Sequence, residues 1–256
     1  MRLCAVAEPG KPHQVQAMQA LRNGCVRHGV RVDVRDTFDD DQYDMVSSWG
    51  KRGYDGLRPH LILEAGYINR DTGNYHRDRL RFISTSWNKP HGMSDGFTWN
   101  APPDRWRRLG IEFDDWKLSG RFALMLSQHP NDYGAPSQTI WDSTRKLLEA
   151  LYKVRERPHP LVAQSPRSLA EDLRDAHMAV TWTSTAAVEA VIAGVPTVAL
   201  HPMCIASPVC SQTFDDPYFR GDRRQWAYNL MYRQWKLNEI ADGSMWSHVY
   251  GRAFPT

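Results

Sequence analysis

Short apolar runs alternate with amphipathic stretches along most of this chain. Leu3–Ala7 is apolar throughout and reads as a first strand, and His13–His28 carries Val15, Met18, Leu21 and Val26 near helical spacing. Val30–Val34 alternates with polar residues, the pattern of a half-buried strand. Met45–Ser48, Leu61–Glu64 and Arg81–Thr85 read as further strands between polar turns, so a βαβ opening leads into less regular αβ structure.

A second unit begins near Gly120. Phe122–Leu126 predicts a buried strand, and Pro136–Tyr152 a helix with Trp141, Leu147, Leu148 and Leu151 inward. Leu161–Ala163 reads as a short strand, Ser168–Asp175 as a short helix, Met178–Thr181 as a strand, Thr185–Ala193 as a helix and Thr197–Leu200 as a strand. Strands that alternate with helices imply parallel sheets with helices on both faces. Ala101-Pro102-Pro103 and the polar stretch up to Gly120 are the expected linker. The expected organisation is an α/β first unit over 1–118, a second over 119–222, and an aromatic-rich helical tail over 223–256 that packs back. Two Rossmann-like units with a cleft between them would bind ligands at the carboxyl ends of their strands.

At 256 residues the chain is one large domain or two small ones. It has no apolar run of about 18 residues, so no membrane span is expected. The N-terminus reads as a strand rather than a signal peptide. Cys4, Cys25, Cys204 and Cys210 have no paired spacing, which argues against a zinc ribbon or disulfide framework and for a reduced, cytoplasmic setting. The net charge of +3 does not announce a nucleic-acid binder, yet 25 of the 32 basic residues are arginine, the residue suited to bidentate phosphate contact.

The stretch from Val180 to Pro196 is the most informative. A strand ends in Thr183-Ser184-Thr185, a helix follows, and Gly194 and Pro196 stop it. The three hydroxyls and the unpaired N–H groups of the helix start make a phosphate site, and Glu189 could accept hydrogen bonds from ribose hydroxyls. The same residues also read as an ordinary strand–helix turn with a Ser/Thr cap. Arg157-Pro158-His159-Pro160 could bring an Arg and a His to a phosphate, with the prolines stiffening the turn. His-Pro occurs at His129, His159 and His201, against about 0.6 occurrences expected from composition. Each pair falls after an expected strand of the second unit.

Arg-Pro-His-Pro followed by a Ser-Thr helix start resembles the donor-site signature of glycosyltransferases with two Rossmann domains, the GT-B fold. The likeness is to capsule-type Kdo transferases and bacterial sialyltransferases, whose His-Pro and Ser-Ser/Thr motifs hold the nucleotide phosphate. Glu189-Ala190 with Gly194-x-Pro196 is similar to the wider GT-B pattern, in which that glutamate takes the ribose. Glu64-Ala-Gly66-Tyr67-Ile-Asn-Arg70 resembles the Glu-x-Gly-Tyr-x-Arg segment of the capsule enzymes, with the arginine shifted. Leu126-Ser-Gln128-His-Pro-Asn-Asp132, Ile205-Ala-Ser207-Pro208 and Gln234-Trp235-x-Leu-x-Glu239 are similar to motifs of glycosyltransferases encoded in phage and prophage genomes. The chain is much shorter than the capsule enzymes.

The resemblance implies a GT-B-like glycosyltransferase that needs no metal and no resident cofactor. Its co-substrate would be a UDP-, CMP- or GDP-linked sugar. Gln128, Asp132, Arg157, His159, Thr183, Ser184, Thr185 and Glu189 would bind the donor, with His159 also serving the leaving phosphate. Glu64 is the expected base for the acceptor hydroxyl; a structural pairing with Arg70 or Arg81 is the competing reading, and Asp95, His91 and Glu8 are reserves. Arg70, Arg107 and Arg108 would face the acceptor. The phage-like motifs and the arginines favour 5-hydroxymethylpyrimidine in DNA, with Arg77, Arg79, Arg81, Arg105, Arg223 and Arg224 as further backbone contacts. A polysaccharide or lipid-linked glycan acceptor, a nucleotide-sugar 2-epimerase of the same fold, and a non-catalytic nucleotide- or glycan-binding module are the alternatives. Asp39-Asp40-Asp41 holds a D-x-D but follows a strand directly and reads as a solvated loop. There is no G-x-S-x-G elbow and no H-E-x-x-H, which disfavours hydrolase and zinc chemistry.

Overall fold

Five-residue apolar runs are too short for helices and become the central strands of two sheets. The structure is a computed structural model that describes all residues except 40, 52–53, 55, 69–79, 90–99, 133, 215, 217–219 and 255–256. The chain divides into two compact units, Met1–Ala101 with Asn229–Thr256, and Pro102–Tyr228.

The first unit holds β1 (Arg2–Val6), α1 (Pro12–Val26), β2 (Arg31–Arg35), β3 (Met45–Trp49), β4 (His60–Ala65) and β5 (Ile83–Trp87). The tail returns as β10 (Gln234–Trp235), α7 (Leu237–Ala241) and α8 (Ser244–Ala253). The sheet order is β10-β5-β4-β3-β1-β2. The four strands β2, β1, β3 and β4 are parallel, and β5 and β10 each run antiparallel to their inner neighbour. Met18, Leu21 and Cys25 of α1 join Leu3, Ala5, Leu61 and Leu63 of the sheet and Ile240, Met245 and Trp246 of the tail in one core. A Cβ at Gly24 would lie 2.0 Å from the Ile240 carbonyl oxygen, so α1 and α7 meet only because that position is glycine. The tail thus packs back as expected, but as two helices after a two-residue strand.

The second unit holds α2 (Asp104–Arg107), β6 (Phe122–Leu126), α3 (Gln138–Glu149), β7 (Val154–Arg157), α4 (Leu169–Asp175), β8 (Ala176–Thr181), α5 (Ala186–Ile192) and β9 (Thr197–Ala199). Its four strands are all parallel, in the order β7-β6-β8-β9. Helix α6 (Arg223–Met231) contains the point at which the chain passes back to the first unit. The α/β class is therefore as the sequence implied, with one all-parallel sheet and one that is parallel except at the β5–β10 edge.

The division falls at residue 101, earlier than the expected 118. Residues 102–118 are tied into the second unit by backbone bonds from Asp114 to Ile192 and from Lys117 to Gly194. Gly194 has φ +66°, and a Cβ there would lie 2.1 Å from the Asp115 carbonyl oxygen. Arg223 completes the tie: it lies over Trp116 and donates to the carbonyls of Val191 and Asp114. Three local expectations change. Leu161–Ala163 is an exposed turn, and the strand is the more polar Val154–Arg157. Leu147 and Leu151 face solvent, while Trp141 and Leu148 are buried.

Candidate functional site

In an open parallel sheet the ligand crevice lies beyond the carboxyl ends of the strands, where the strand order reverses. In the second unit that point is between β6 and β8. The buried Thr181 hydroxyl joins the two strands there, donating to Leu126 O at 3.3 Å and accepting the Ser184 N–H at 3.1 Å. One residue further out, Gln128 Oε1 accepts the Thr183 N–H at 3.0 Å. That bond fixes which way the Gln128 amide faces. Ser184 Oγ accepts the Ala186 N–H at 3.3 Å, and among the described residues its own proton has no acceptor. Thr185 is the N-cap of α5 and makes no side-chain cap bond. Thr183 Oγ1 is buried with no hydrogen-bond partner among the described residues, a state that costs about 1–3 kcal/mol unless a ligand meets it.

The three His-Pro pairs are built alike. His129 follows β6, His159 follows β7 and His201 follows β9. In each, Nδ1 accepts the backbone N–H two residues on: from Asn131 at 3.2 Å, Leu161 at 3.2 Å and Met203 at 3.1 Å. An imidazole whose Nδ1 is an acceptor carries its proton on Nε2 when neutral, so all three rings have Nε2 as their donor. The rings of His129 and His159 lie edge to face with centroids 5.6 Å apart. His201 lies against the half-buried Trp182 at 5.5 Å.

The strand preceding His159 shows where Arg157 goes. Its guanidinium turns to α4, donating to Asp172 Oδ2 at 2.9 Å and to the Arg167 carbonyl at 2.7 Å. Arg155 donates to the other oxygen of Asp172 at 2.9 Å, and Arg167 approaches it at 3.7 Å. Asp172 is buried, so Arg157 serves as one of its counter-charges. On the opposite face of β7, Glu156 accepts from Ser127 Oγ at 2.5 Å and Trp141 Nε1 at 2.9 Å, and pairs with Arg145. Glu156 thereby steadies the residue before Gln128, a role that no motif signalled. Gln128, His159, Thr183, Ser184 and Thr185 gather at the strand ends. Asp132 is exposed in the turn after His129, its N–H bonded to the His129 carbonyl, and Glu189 is half-buried in α5.

In the first unit Glu64 is half-buried near the carboxyl end of β4, and a Cβ at Gly50, just past β3, would lie 4.0 Å from its Oε1. Nearby, the buried Ser48 hydroxyl donates to Gly50 O at 2.7 Å and lies 2.8 Å from His60 Nε2. His60 is enclosed by Phe38 and Tyr54, and burial, helped by the Lys51 charge, pushes its pKa down to about 4. The loop after Glu64 is held from the tail: Gln234 Oε1 accepts the N–H groups of Tyr67 and Ile68 at 2.8 and 2.9 Å. Glu8 is exposed, and its N–H bonds Gln14 Oε1 at 2.9 Å. Arg70, Arg77, Arg79, His91, Asp95 and Asp40 lie outside the described residues.

Of the other arginines expected at an acceptor, Arg107 and Arg81 are exposed. Arg108 is exposed and paired with Asp104 at 3.0 Å. Arg105 is buried, Arg223 lies over Trp116, and Arg224 lies over Phe113. Asp39 bonds Arg35 and the Asp41 N–H, forming a turn. Among the described residues, no three His, Cys, Asp or Glu side chains gather to hold a metal ion, and no helix is long and apolar enough to cross a membrane. All four cysteines are buried, and burial raises the thiol pKa of Cys204 and Cys210, so neither is set up as a nucleophile.

No protein-family model matches the chain, and no curated protein matches it. Solved structures do. The chain is similar to the KpsC beta Kdo 2,4 transferase of Thermosulfurimonas dismutans, with a TM-score of 0.61 and 12% identity over 91% of each chain. It is also similar to the KpsC beta Kdo 2,7 transferase of that organism, with a TM-score of 0.59 and 12% identity over 98% of this chain and 99% of the other. At this identity the likeness is one of fold.

Proposed function

We propose that the protein is a glycosyltransferase that moves a sugar from a nucleotide-activated donor to an acceptor hydroxyl. One observation carries the reading: at the β6/β8 switch point and the strand ends beside it, imidazole N–H groups and Ser/Thr hydroxyls are all placed as donors. Donors held rigidly in a partly desolvated site suit the negative charge that builds on a departing phosphate. Imidazoles with protonated Nε2 atoms cannot ligate a cation through those atoms, so they fit an anion. The fold shared with two Kdo transferases supports the same reading.

In this account the second unit binds the donor, with His159, Ser184 and Thr185 on the phosphate, Gln128 beside them and Glu189 on the ribose. The first unit supplies the acceptor side, where Glu64 takes the hydroxyl proton as the bond to the sugar forms. Arg157 acts through Asp172, holding β7 and hence His159. The mass of an acceptor after incubation with UDP-, CMP- and GDP-sugars tests the activity; no transfer and no donor hydrolysis with the whole panel would overturn it.

For the acceptor we carry forward 5-hydroxymethylpyrimidine in DNA, which the exposed Arg107 and Arg108 support. A saccharide acceptor is the second reading, favoured by the fold shared with enzymes that transfer Kdo. Salt separates the two. Duplex binding through phosphates should weaken with a log–log slope of about −0.9 per phosphate neutralised, and charge reversal at Arg107 and Arg108 should reduce that slope. Salt-insensitive transfer to saccharides, with none to hydroxymethylated DNA, would overturn the DNA reading alone.

A further inference from the structure

We propose that His129 is a second phosphate-binding imidazole and that the strand ends of the second unit are built for a nucleoside diphosphate sugar rather than a nucleoside monophosphate sugar. The proposal rests on the reading of this unit as the donor site. Three neighbouring strands, β7, β6 and β8, each end in a fixed donor: His159, His129 and the Thr183–Ser184 hydroxyls. Neighbouring strands lie about 4.8 Å apart, so these groups are spread over about 10 Å, the reach of two linked phosphates and their oxygens. One tetrahedral phosphate would leave an end of that row unused.

Two independent observations show that the row is built. His129 and His159 belong to different strands, yet each ring is held by the same bond from the N–H two residues on. Neither ring can turn over without losing that bond, so each neutral ring keeps its proton on Nε2, and the two rings lie edge to face with centroids 5.6 Å apart. At the other end Thr183 gives its N–H to Gln128, while its hydroxyl is buried with no partner among the described residues. A buried donor left open in this way is a place for a ligand oxygen.

The test is calorimetric binding of UMP and UDP, CMP and CDP, GMP and GDP, and inorganic pyrophosphate. His129→Ala removes the ring. His129→Asn keeps an acceptor for the Asn131 N–H in an Asx-type turn but lacks the Nε2–H, so it separates phosphate contact from turn geometry. We expect at least one diphosphate to bind tenfold or more tightly than its monophosphate. Both variants should abolish that preference while leaving monophosphate affinity within about twofold. Equal affinity for mono- and diphosphates, or a preference that survives in His129→Asn, would overturn the proposal and leave the donor-site reading standing. Pyrophosphate bound as tightly as the nucleotides would also overturn it, since the nucleoside would then contribute nothing. Failure of every nucleotide to bind would remove the donor-site reading itself.

Discussion

Gln128 and Thr183 stand on neighbouring strands, and the 3.0 Å bond from the Thr183 N–H to Gln128 Oε1 closes the switch point between them. The bond uses the backbone of Thr183 and leaves its hydroxyl unspent. Gln128→Leu should leave the Thr183 N–H unpaired, cost about 1–3 kcal/mol of stability and weaken nucleotide binding. Gln128→Glu retains the acceptor and should restore most of the stability while still impairing phosphate binding through like charge. Urea unfolding and calorimetry together check this; unchanged nucleotide affinity in both variants would detach Gln128 from the site.

Asp172 is the buried centre of a group of three arginines, two of them on β7. The arginines are partly exposed and screened, so Asp172→Asn should cost about 2–3 kcal/mol, toward the low end for breaking a buried pair. The midpoint of urea unfolding is the measurement, and a shift within error would show that the arginines do not need the charge.

The same cluster explains what the sequence hid. Phe122–Leu126 and Met178–Thr181 were legible because their runs are buried on both faces. Val-Arg-Glu-Arg has no apolar run, and nothing in it announces that Asp172 would neutralise one face and Arg145, Trp141 and Ser127 the other. The direction of Arg157 was not readable either, since its partner lies 15 residues away in α4. Leu147 and Leu151 fit a helical stripe on spacing alone, yet only Trp141 and Leu148 meet the sheet. The repeated His-Pro signalled one turn used three times; that each ring is held as an Nε2 donor depends on a backbone bond to Nδ1 that spacing does not announce.

His60 should make stability depend on pH. Its folded pKa of about 4 lies below the ordinary value of 6.5, because burial and then the Lys51 charge oppose protonation. Between those two values the unfolded chain binds a proton that the folded chain refuses, so stability falls as pH falls through this window and is level above it. The full effect is about 3 kcal/mol. Denaturation of wild type and His60→Gln at pH 7 and pH 4.5 should show a smaller loss in the variant. Equal losses would place the pH dependence elsewhere.

Glu64→Gln preserves the size of the side chain and removes its basicity. If Glu64 takes the acceptor proton, turnover should fall by about 10²–10⁴ with donor affinity little changed. Turnover within a few-fold of wild type would make Glu64 structural and move the search to other carboxylates and histidines of the first unit.

The central claim is that a nucleotide-activated sugar binds at the strand ends of the second unit. Amide hydrogen exchange with and without UDP-, CMP- and GDP-sugars locates binding without needing to know the acceptor. With at least one donor we predict slower exchange at residues 127–132, 157–163 and 182–186, where Asn131, Leu161, Thr183 and Ser184 amides lie. Protection confined to the first unit, or no protection with any donor, would contradict the account.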